Sequence, residues 1–185
     1  MSVIRIASRY AKSLLDLSIE KKILEPINDD MRLLNQVCEE NHELVLLLNN
    51  PIVSLETKSK VLKKIFEGKV EKLTITFFDI IVKKGREKFL HEVAKAFITQ
   101  YNEYKHIILA EVTTTFTLTD ELRAEVKKVV KEISGKTVEL TEKVDESIIG
   151  GVVIKVGDRQ IDDSISAKLN VLKRDLTENR YIKQI

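Results

Sequence analysis

The sequence has few of the residues that build covalent, metal or redox sites. It contains one cysteine, Cys38, no tryptophan, and three histidines that lie far apart along the chain. A single cysteine excludes an internal disulfide framework and a cysteine-based zinc site. Its 31 basic and 29 acidic residues give a formal charge of only +2, whereas nucleic-acid-binding proteins usually carry a clear basic excess. We therefore expect no cofactor, no metal and no nucleic-acid partner.

Long apolar runs are also missing. The two longest apolar stretches, Leu73 to Val82 and Ile148 to Val156, each contain a charged residue. Both are shorter than the roughly 18 apolar residues that a membrane-spanning helix needs. The first residues run directly into a helical pattern, so we expect no signal or transit peptide and no direct insertion into a membrane. The 185 residues, 43% of them hydrophobic, provide for one ordinary domain or two small ones.

Hydrophobic spacing predicts six helices in residues 1–105, joined by short links. The first helix has a stripe of mostly small residues at helical spacing: Ala7, Ala11, Leu14 and Ser18. Such a stripe lets another helix approach closely. Ser54 is expected to cap the fourth helix. The fifth segment, Leu73 to Val82, fits a strand as well as a helix, but Lys83-Lys84-Gly85 after it is typical of a helix end. These features predict an all-α six-helix bundle.

Residues 106–185 mix strand-like alternation with helical spacing. The predicted order is β-α-β-β-β-α, a small α+β domain. The predicted elements are a strand around Ile108–Phe116, a helix capped by Thr119, a strand through Val138–Val144, a hairpin of Ile148–Val156 with Gln160–Asp162 turned at Gly157-Asp158, and a helix capped by Ser164. The chain as a whole is therefore expected to have a mixed fold with two domains, 1–105 and 106–185.

No motif in the chain points to catalysis. Gly135-Lys136-Thr137 resembles the end of a phosphate-binding loop, but the required earlier glycine is replaced by Val130. Gly150-Gly151 inside an apolar segment is more typical of a bulge or of close packing than of a ligand site. Asp162-Asp163 precedes Ser164 at a helix start, where capping explains the carboxylates better than acid–base chemistry or a magnesium site. We expect the protein not to be an enzyme.

The remaining feature of the sequence that could indicate a function is its apolar surface. The fifth helix and the small-residue face of the first are more apolar than one bundle core requires. Two interpretations stay open at this point. A central buried helix explains the pattern, and so does a groove that accepts an amphipathic helix from another protein.

Two segments carry a family resemblance. The first is Ala7 to Leu14 (ASRYAKSL), and the second, longer and more specific, is Gly150 to Leu169 (GGVVIKVGDRQIDDSISAKL). The link Lys84-Gly85-Arg86 and the order of a bundle followed by an α+β domain also fit, so the likeness covers the whole chain. It resembles the delta subunit of the F-type ATP synthase, which is called the oligomycin-sensitivity-conferring protein in mitochondria.

The resemblance implies a non-catalytic subunit that links the top of the catalytic head to the peripheral stalk, the stator, and resists rotary torque during proton-driven ATP synthesis. Residues 1–105 would hold the N-terminal helix of a head alpha subunit between the first and fifth helices. The implied groove residues are Ala7, Tyr10, Ala11, Leu14, Phe77, Ile80, Ile81 and Lys84. Residues 106–185 would bind the stalk b subunits. The implied contacts there are Ile161, Leu169, Leu172 and Leu176.

The resemblance also implies a cellular location. The protein would be a peripheral subunit at the cytoplasmic face of the inner (plasma) membrane, of bacterial origin or encoded in an organelle.

The alternative function is that of an RNA-binding helical adaptor. Its basic residues would be Lys63, Lys64, Lys69, Lys72, Lys83, Lys84 and Arg86. Nearby glutamates and an aromatic content of 5% argue against it, because single-stranded RNA is usually bound by aromatic stacking within a basic groove.

Overall fold

The computed structural model describes residues 3–157 and 159–177, and the chain divides between Lys105 and His106 into two compact units. The helical unit covers the described residues up to 105, and the sheet unit covers those from 106 onward. The described part of the helical unit contains these α-helices: α1 (Val3–Glu20), α2 (Leu24–Glu40), α3 (His42–Asn49), α4 (Leu55–Phe66), α5 (Lys72–Lys83) and α6 (Leu90–Tyr104). A short 3-10 helix (Glu87–Phe89) lies between α5 and α6. The predicted helical bundle is confirmed.

The helical unit is built around α6. Both α1 and α2 pack along α6, and α4 packs against α5. The small-residue stripe of α1 is buried, and Ala7 of α1 and Ala96 of α6 both line an open cavity of about 470 Å³. The segment whose sequence fits a strand or a helix is α5, and it buries Phe78, Ile81 and Val82. Its helical form follows from its two ends, which are both fixed by hydrogen bonds.

The two ends of α5 are held in different ways. At its start Asp30 of α2 acts as a distant cap, since its Oδ2 accepts a hydrogen bond from the Glu71 backbone N–H at 2.9 Å and from the Thr74 hydroxyl at 2.5 Å. At its end the Gly85 N–H donates to the Val82 carbonyl and the Arg86 N–H to the Ile81 carbonyl. These two bonds form a Schellman motif, which ends the helix.

The sheet unit confirms the predicted order of elements. Its described elements are β1 (Ile107–Thr114), α7 (Asp120–Ser134), β2 (Thr137–Val144), a short 3-10 helix (Glu146–Ile148), β3 (Val152–Val156), β4 (Arg159–Asp162) and α8 (Ile165–Thr177). The sheet has the order β2-β1-β3-β4, with β1 parallel to β2 and antiparallel to β3. Its core consists of Ala110, Val112, Leu118, Val130 and Ile154. Because α7 connects two parallel neighbours, it covers one face of β1 and β2.

One predicted boundary is wrong. The strand that the sequence places from Ile148 begins at Val152. Ile149 and Gly151 have φ angles of 66° and 81°, which interrupt an extended strand. The predicted β3–β4 hairpin is present and Gly157 lies in its turn, while Asp158 lies outside the described residues.

Candidate functional site

The acidic pair before α8 serves the helix start. Asp162 accepts a hydrogen bond from the Ser164 N–H at 3.0 Å, and hydrogen bonding to Ser164 lowers the pKa of Asp162. Asp163 forms an ion pair with Lys168 at 2.7 Å, and the Ser164 hydroxyl accepts from the Ala167 N–H at 3.1 Å. The capping interpretation is therefore confirmed for Ser164 and supported for Asp162, whereas Asp163 pairs with a lysine side chain. Asp162 carries no raised pKa of the kind that a general acid needs.

Several other side chains are also accounted for by structure. Cys38 is buried in the helical unit, and burial raises the pKa of its thiol to about 11. A thiol with a raised pKa has little thiolate and is unreactive at neutral pH. Among residues 3–157 and 159–177, no three His, Cys, Asp or Glu side chains are grouped so as to hold a metal ion. In the same residues no helix combines the length and hydrophobicity needed to cross a bilayer.

The helical unit has a half-exposed apolar surface where α1 meets α5. Tyr10 and Phe77 join the two helices edge to face, with ring centroids 6.5 Å apart. Residues four before and seven after Tyr10 lie on the same flank of α1, and both are apolar and half-buried. We define the α1–α5 cleft by these residues: Ile6, Tyr10 and Leu17 on α1, with Leu73, Phe77, Ile80 and Lys84 along α5.

The structure separates the eight groove residues implied by the family resemblance into two sets. The first set is buried in the bundle: Ala7, Ala11, Leu14 and Ile81. The second set lies on the α1–α5 cleft: Tyr10, Phe77, Ile80 and Lys84. Within it, Ile80 is 47% exposed, whereas Phe77 is buried with 8% of its surface exposed. In this conformation Tyr10, Ile80 and Lys84 are open to a partner, whereas Phe77 and the first set support the cleft from below. Their partner contacts stay predictions.

The opposite side of α5 is occupied by α4. Lys63 forms an ion pair with Asp79 at 2.7 Å, and the Ser59 hydroxyl donates to Asp79 at 2.8 Å. Although partial burial acts to raise it, these hydrogen bonds hold the pKa of Asp79 below its ordinary value. Lys63, a member of the basic set proposed for RNA binding, is therefore already paired with a carboxylate.

In the sheet unit, α8 presents an apolar stripe. Its members are Ile165, Leu169, Leu172 and Leu176, and each is between 45% and 85% exposed. They are spaced four, three and four residues apart, which is the spacing of a coiled-coil seam. Lys168 and Lys173 lie on the two flanks of this stripe. The three implied stalk contacts on α8 thus share one face of the helix.

The fourth implied stalk contact, Ile161, lies elsewhere in the sheet unit. It is on the edge strand β4, opposite Ile154. Its side chain lines an open cavity of about 590 Å³ together with Ile108, Val156 and Arg159. Ile161 therefore belongs to the surface of the sheet, and the three leucines belong to the face of α8.

Sequence reasoning missed several residues of these surfaces. Ile165 was not among the implied stalk contacts, although its position four residues before Leu169 places it on the apolar face of α8. Ile6, Leu17 and Leu73 were detectable in the same way, from their spacing to Tyr10 and Phe77. The contact of Arg86 with Tyr10 had no sequence signal, because it links residues 76 positions apart.

Comparison with known proteins gives a consistent result over nearly the whole chain. Residues 6–176 match the family model described as ATP synthase delta (OSCP) subunit. The chain is 43% identical to ATP synthase subunit delta of Cytophaga hutchinsonii over 178 residues, covering 96% of this chain and 97% of the relative. It is 37% identical to ATP synthase subunit delta of Christiangramia forsetii over 181 residues, covering 98% of each chain.

A solved structure shows a similar fold. A chain in the cryo-EM structure of the Toxoplasma gondii mitochondrial ATP synthase hexamer matches with a TM-score of 0.68 and 22% sequence identity, covering 92% of this chain and 96% of that chain. At this level of identity the match supports the fold and does not by itself assign a role.

Proposed function

The chain belongs to the ATP synthase delta (OSCP) family, and on this premise we propose that it is the non-catalytic subunit that links the catalytic head of the enzyme to the peripheral stalk. The observation that carries the proposal is that each compact unit has its own apolar surface left open by the described residues. These surfaces are the α1–α5 cleft and the α8 stripe. A linking subunit needs two separate surfaces, because it must hold two partners at once.

The helical unit is suited to an amphipathic helix. The α1–α5 cleft runs along two helices and offers apolar side chains with Lys84 at one end. A helix laid in such a cleft would bury its apolar residues at helical spacing. We propose that this helix is the N-terminal helix of an alpha subunit of the head.

The sheet unit is suited to a second helical partner. The seam spacing on α8 favours side-by-side packing with another helix, because apolar residues four and three apart interlock with a facing seam. Lys168 and Lys173 favour acidic side chains on the flanks of that partner. We propose that the partner is the C-terminal part of a stalk b subunit, with Ile161 as an additional contact.

The proposed action is mechanical. Rotation of the central shaft exerts torque on the head, and the linking subunit resists it by staying bound on both sides. A dissociation constant in the nanomolar range corresponds to roughly −12 kcal/mol. Affinity at this level is set mainly by slow dissociation. The protein would act at the membrane surface as a peripheral part of the complex, on the cytoplasmic side in a bacterium, and would use no cofactor.

Calorimetry with the full chain tests both surfaces. The probes are a synthetic peptide of the alpha-subunit N-terminal helix and a C-terminal fragment of the b subunit, each from the same ATP synthase. We expect Ile80→Glu to weaken alpha-peptide binding at least about tenfold, a loss of about 1.4 kcal/mol, and to leave the b fragment unaffected. Leu172→Glu should do the reverse.

Matched controls are available for both variants. Ile52→Glu changes another exposed isoleucine of the helical unit, and Val171→Glu changes an exposed residue of α8 that lies off the stripe. Neither should alter binding to either probe. The proposal would be contradicted if Ile80→Glu or Leu172→Glu lost binding to both probes, or if neither variant lost binding to either probe.

The RNA-binding alternative receives no support from the family assignment. It predicts binding that weakens steeply between low and moderate salt, because phosphate contacts release counterions. Apolar contacts in the α1–α5 cleft should respond little to salt, so calorimetry at two salt concentrations separates the two functions.

A further inference from the structure

Arg86 occupies a specific position at the end of α5. The Schellman motif turns the chain back at Gly85, whose φ of 63° is in the left-handed region that glycine adopts without strain. The Arg86 N–H donates to the Ile81 carbonyl at 3.1 Å. This turn fixes the backbone of Arg86 beside the last turn of α5 and brings its side chain to α1.

The Arg86 side chain contacts Tyr10 in two ways. Its guanidinium carbon lies 5.6 Å from the centroid of the Tyr10 ring, within the distance of a cation–π interaction. Its Nη1 also donates a hydrogen bond to the Tyr10 hydroxyl oxygen at 3.2 Å. Tyr10 in turn packs edge to face against Phe77 at an interplanar angle of 69°. We call these three residues the Tyr10 clamp.

The clamp joins the two walls of the α1–α5 cleft. Tyr10 belongs to α1, Phe77 to α5, and Arg86 to the turn after α5. On either side of Tyr10 along its flank, Ile6 and Leu17 are only half-buried. Tyr10 therefore contacts the α5 side of the cleft through both Phe77 and Arg86, at the place where a bound helix would lie.

We propose that Arg86 is a positioning residue that holds Tyr10 and thereby preorganises the α1–α5 cleft for its helical partner. This inference rests on the proposed function of the cleft. Arg86 acts through Tyr10, and the partner touches Tyr10 and Ile80. Ordering a side chain on binding costs affinity, so a ring already held in place gives tighter binding.

The chemistry requires arginine at this position. A planar guanidinium can stack over a ring and at the same time direct an N–H at the hydroxyl of that ring. A lysine ammonium is a point charge on a flexible stem and cannot reproduce both contacts. A role that depended only on positive charge would be kept by lysine.

The test measures binding of the synthetic alpha-subunit N-terminal peptide to the full chain by calorimetry and surface plasmon resonance. We expect Arg86→Gln to weaken binding about tenfold and Arg86→Lys to restore little of the loss. Tyr10→Phe should give a smaller loss, since the ring and its packing remain.

The double variant Tyr10→Phe, Arg86→Gln should bind no more weakly than Arg86→Gln alone, because the effects of coupled residues are not additive. Lys64→Gln, at an exposed lysine of α4, is the control and should bind as wild type does.

The outcomes separate this inference from the function on which it rests. No binding by the wild-type chain would overturn the cleft as a helix site and the role of Arg86 with it. Wild-type binding with undiminished binding by Arg86→Gln, or full rescue by Arg86→Lys, would overturn the role of Arg86 alone. Circular dichroism shows whether each variant is folded. If Arg86→Gln is unfolded, Tyr10→Phe decides, and unchanged binding by that variant would overturn the clamp.

Discussion

A buried ion pair ties together three elements of the helical unit. Lys58 on α4 is only 2% exposed, and its Nζ donates to Glu87 at 2.7 Å and to the Leu48 carbonyl at 2.8 Å. Glu87 belongs to the 3-10 helix before α6, and Leu48 to the last turn of α3. The position of Lys58, four residues before Leu62 on the buried stripe of α4, was the only sequence signal of its burial.

Removing one member of this pair should be strongly destabilising. Lys58→Ala leaves the Glu87 carboxylate buried without its partner, and we expect a loss of about 3–5 kcal/mol in the free energy of unfolding. The double variant Lys58→Met, Glu87→Leu should cost less than the sum of the single changes, because no buried charge is left. Urea denaturation of wild type, Lys58→Met, Glu87→Leu and the double variant gives the coupling. Strictly additive losses would contradict a direct interaction.

Asp30 is a second single residue of this kind, and its ionisation makes the stability of the helical unit depend on pH. It is buried, and burial raises the pKa of its carboxyl above the ordinary value of 3.8 despite the hydrogen bonds from Thr74 and Glu71. A group with a raised pKa in the folded state adds stability at low pH, and that contribution is lost as the pH rises through the raised pKa.

We therefore predict that Asp30→Asn becomes stabilising relative to wild type as the pH rises above about 4. Asparagine keeps an oxygen that can accept both hydrogen bonds and carries no charge. Asp30→Ala leaves the donors at the start of α5 unsatisfied and should cost about 1–3 kcal/mol. Thermal unfolding between pH 3 and pH 7 checks both. A difference between wild type and Asp30→Asn that does not change with pH would contradict the account.

At the scale of elements, α8 has little support from the rest of the sheet unit. It packs mainly against the 3-10 helix at Glu146–Ile148, and none of its described residues is buried. An isolated helix shorter than about 12–15 residues is only marginally stable in water. With 13 residues, α8 is close to this limit, and we expect packing against a partner to stabilise it.

Hydrogen exchange should show this dependence. In the unbound chain, we expect amides in the second half of α8 to exchange much faster than those of α6, which is packed along its length. Addition of the b fragment should protect them at least about tenfold. Strong protection of α8 without a partner, or none after the b fragment has bound, would contradict the assignment of the stripe.

The start of α8 is fixed by a close approach of two backbones. A Cβ at Gly151, which has a φ of 81°, would overlap the Asp163 carbonyl oxygen and lie 3.1 Å from Ser164 Cα. This contact explains why Gly150-Gly151 precedes β3, and it confirms the close-packing interpretation made from the sequence. The neighbouring hydrogen bond from the Ile165 N–H to the Gly150 carbonyl, at 3.0 Å, anchors the first turn of α8.

Gly151→Ala should consequently displace α8. We expect a loss of at least about 2 kcal/mol in the stability of the sheet unit, from the positive φ and the overlap together. Binding of the b fragment should weaken, while binding of the alpha peptide stays unchanged. Gly157→Ala is the matched control, because its φ of 57° is also positive but its Cβ would meet nothing within 4 Å. Equal effects of the two changes would contradict the close-approach argument.

At the scale of the molecule, the periodic features of the sequence were predictable and the long-range contacts were not. Apolar spacing predicted most of the helices and the order of the strands along the chain. The type of residue at the helix ends predicted α5, through Lys83-Lys84-Gly85, and the caps at Ser54, Thr119 and Ser164. The cap supplied by Asp30, the partner of Lys58 and the Tyr10 clamp each join residues far apart in sequence. Local periodicity contains no information about which distant element supplies the partner.

The same limit applies to the two candidate partner surfaces, the α1–α5 cleft and the α8 stripe. The α8 stripe follows from spacing alone, since all its members lie on one helix. For the α1–α5 cleft, the small residues of α1 are buried because α6 packs against them, and Ile81 of α5 is also buried within the bundle. The distinction between support and surface therefore required the packing of α1 against α6.

The central claim is that one chain holds two partners at the same time, one on each unit. Surface plasmon resonance tests it directly, with the alpha-subunit N-terminal peptide immobilised and the b-subunit fragment flowed over it. The account predicts that the fragment binds only after the chain has been captured, and that it does so without displacing the chain. Failure of the b fragment to bind the captured chain, or release of the chain from the peptide when the fragment is added, would contradict it.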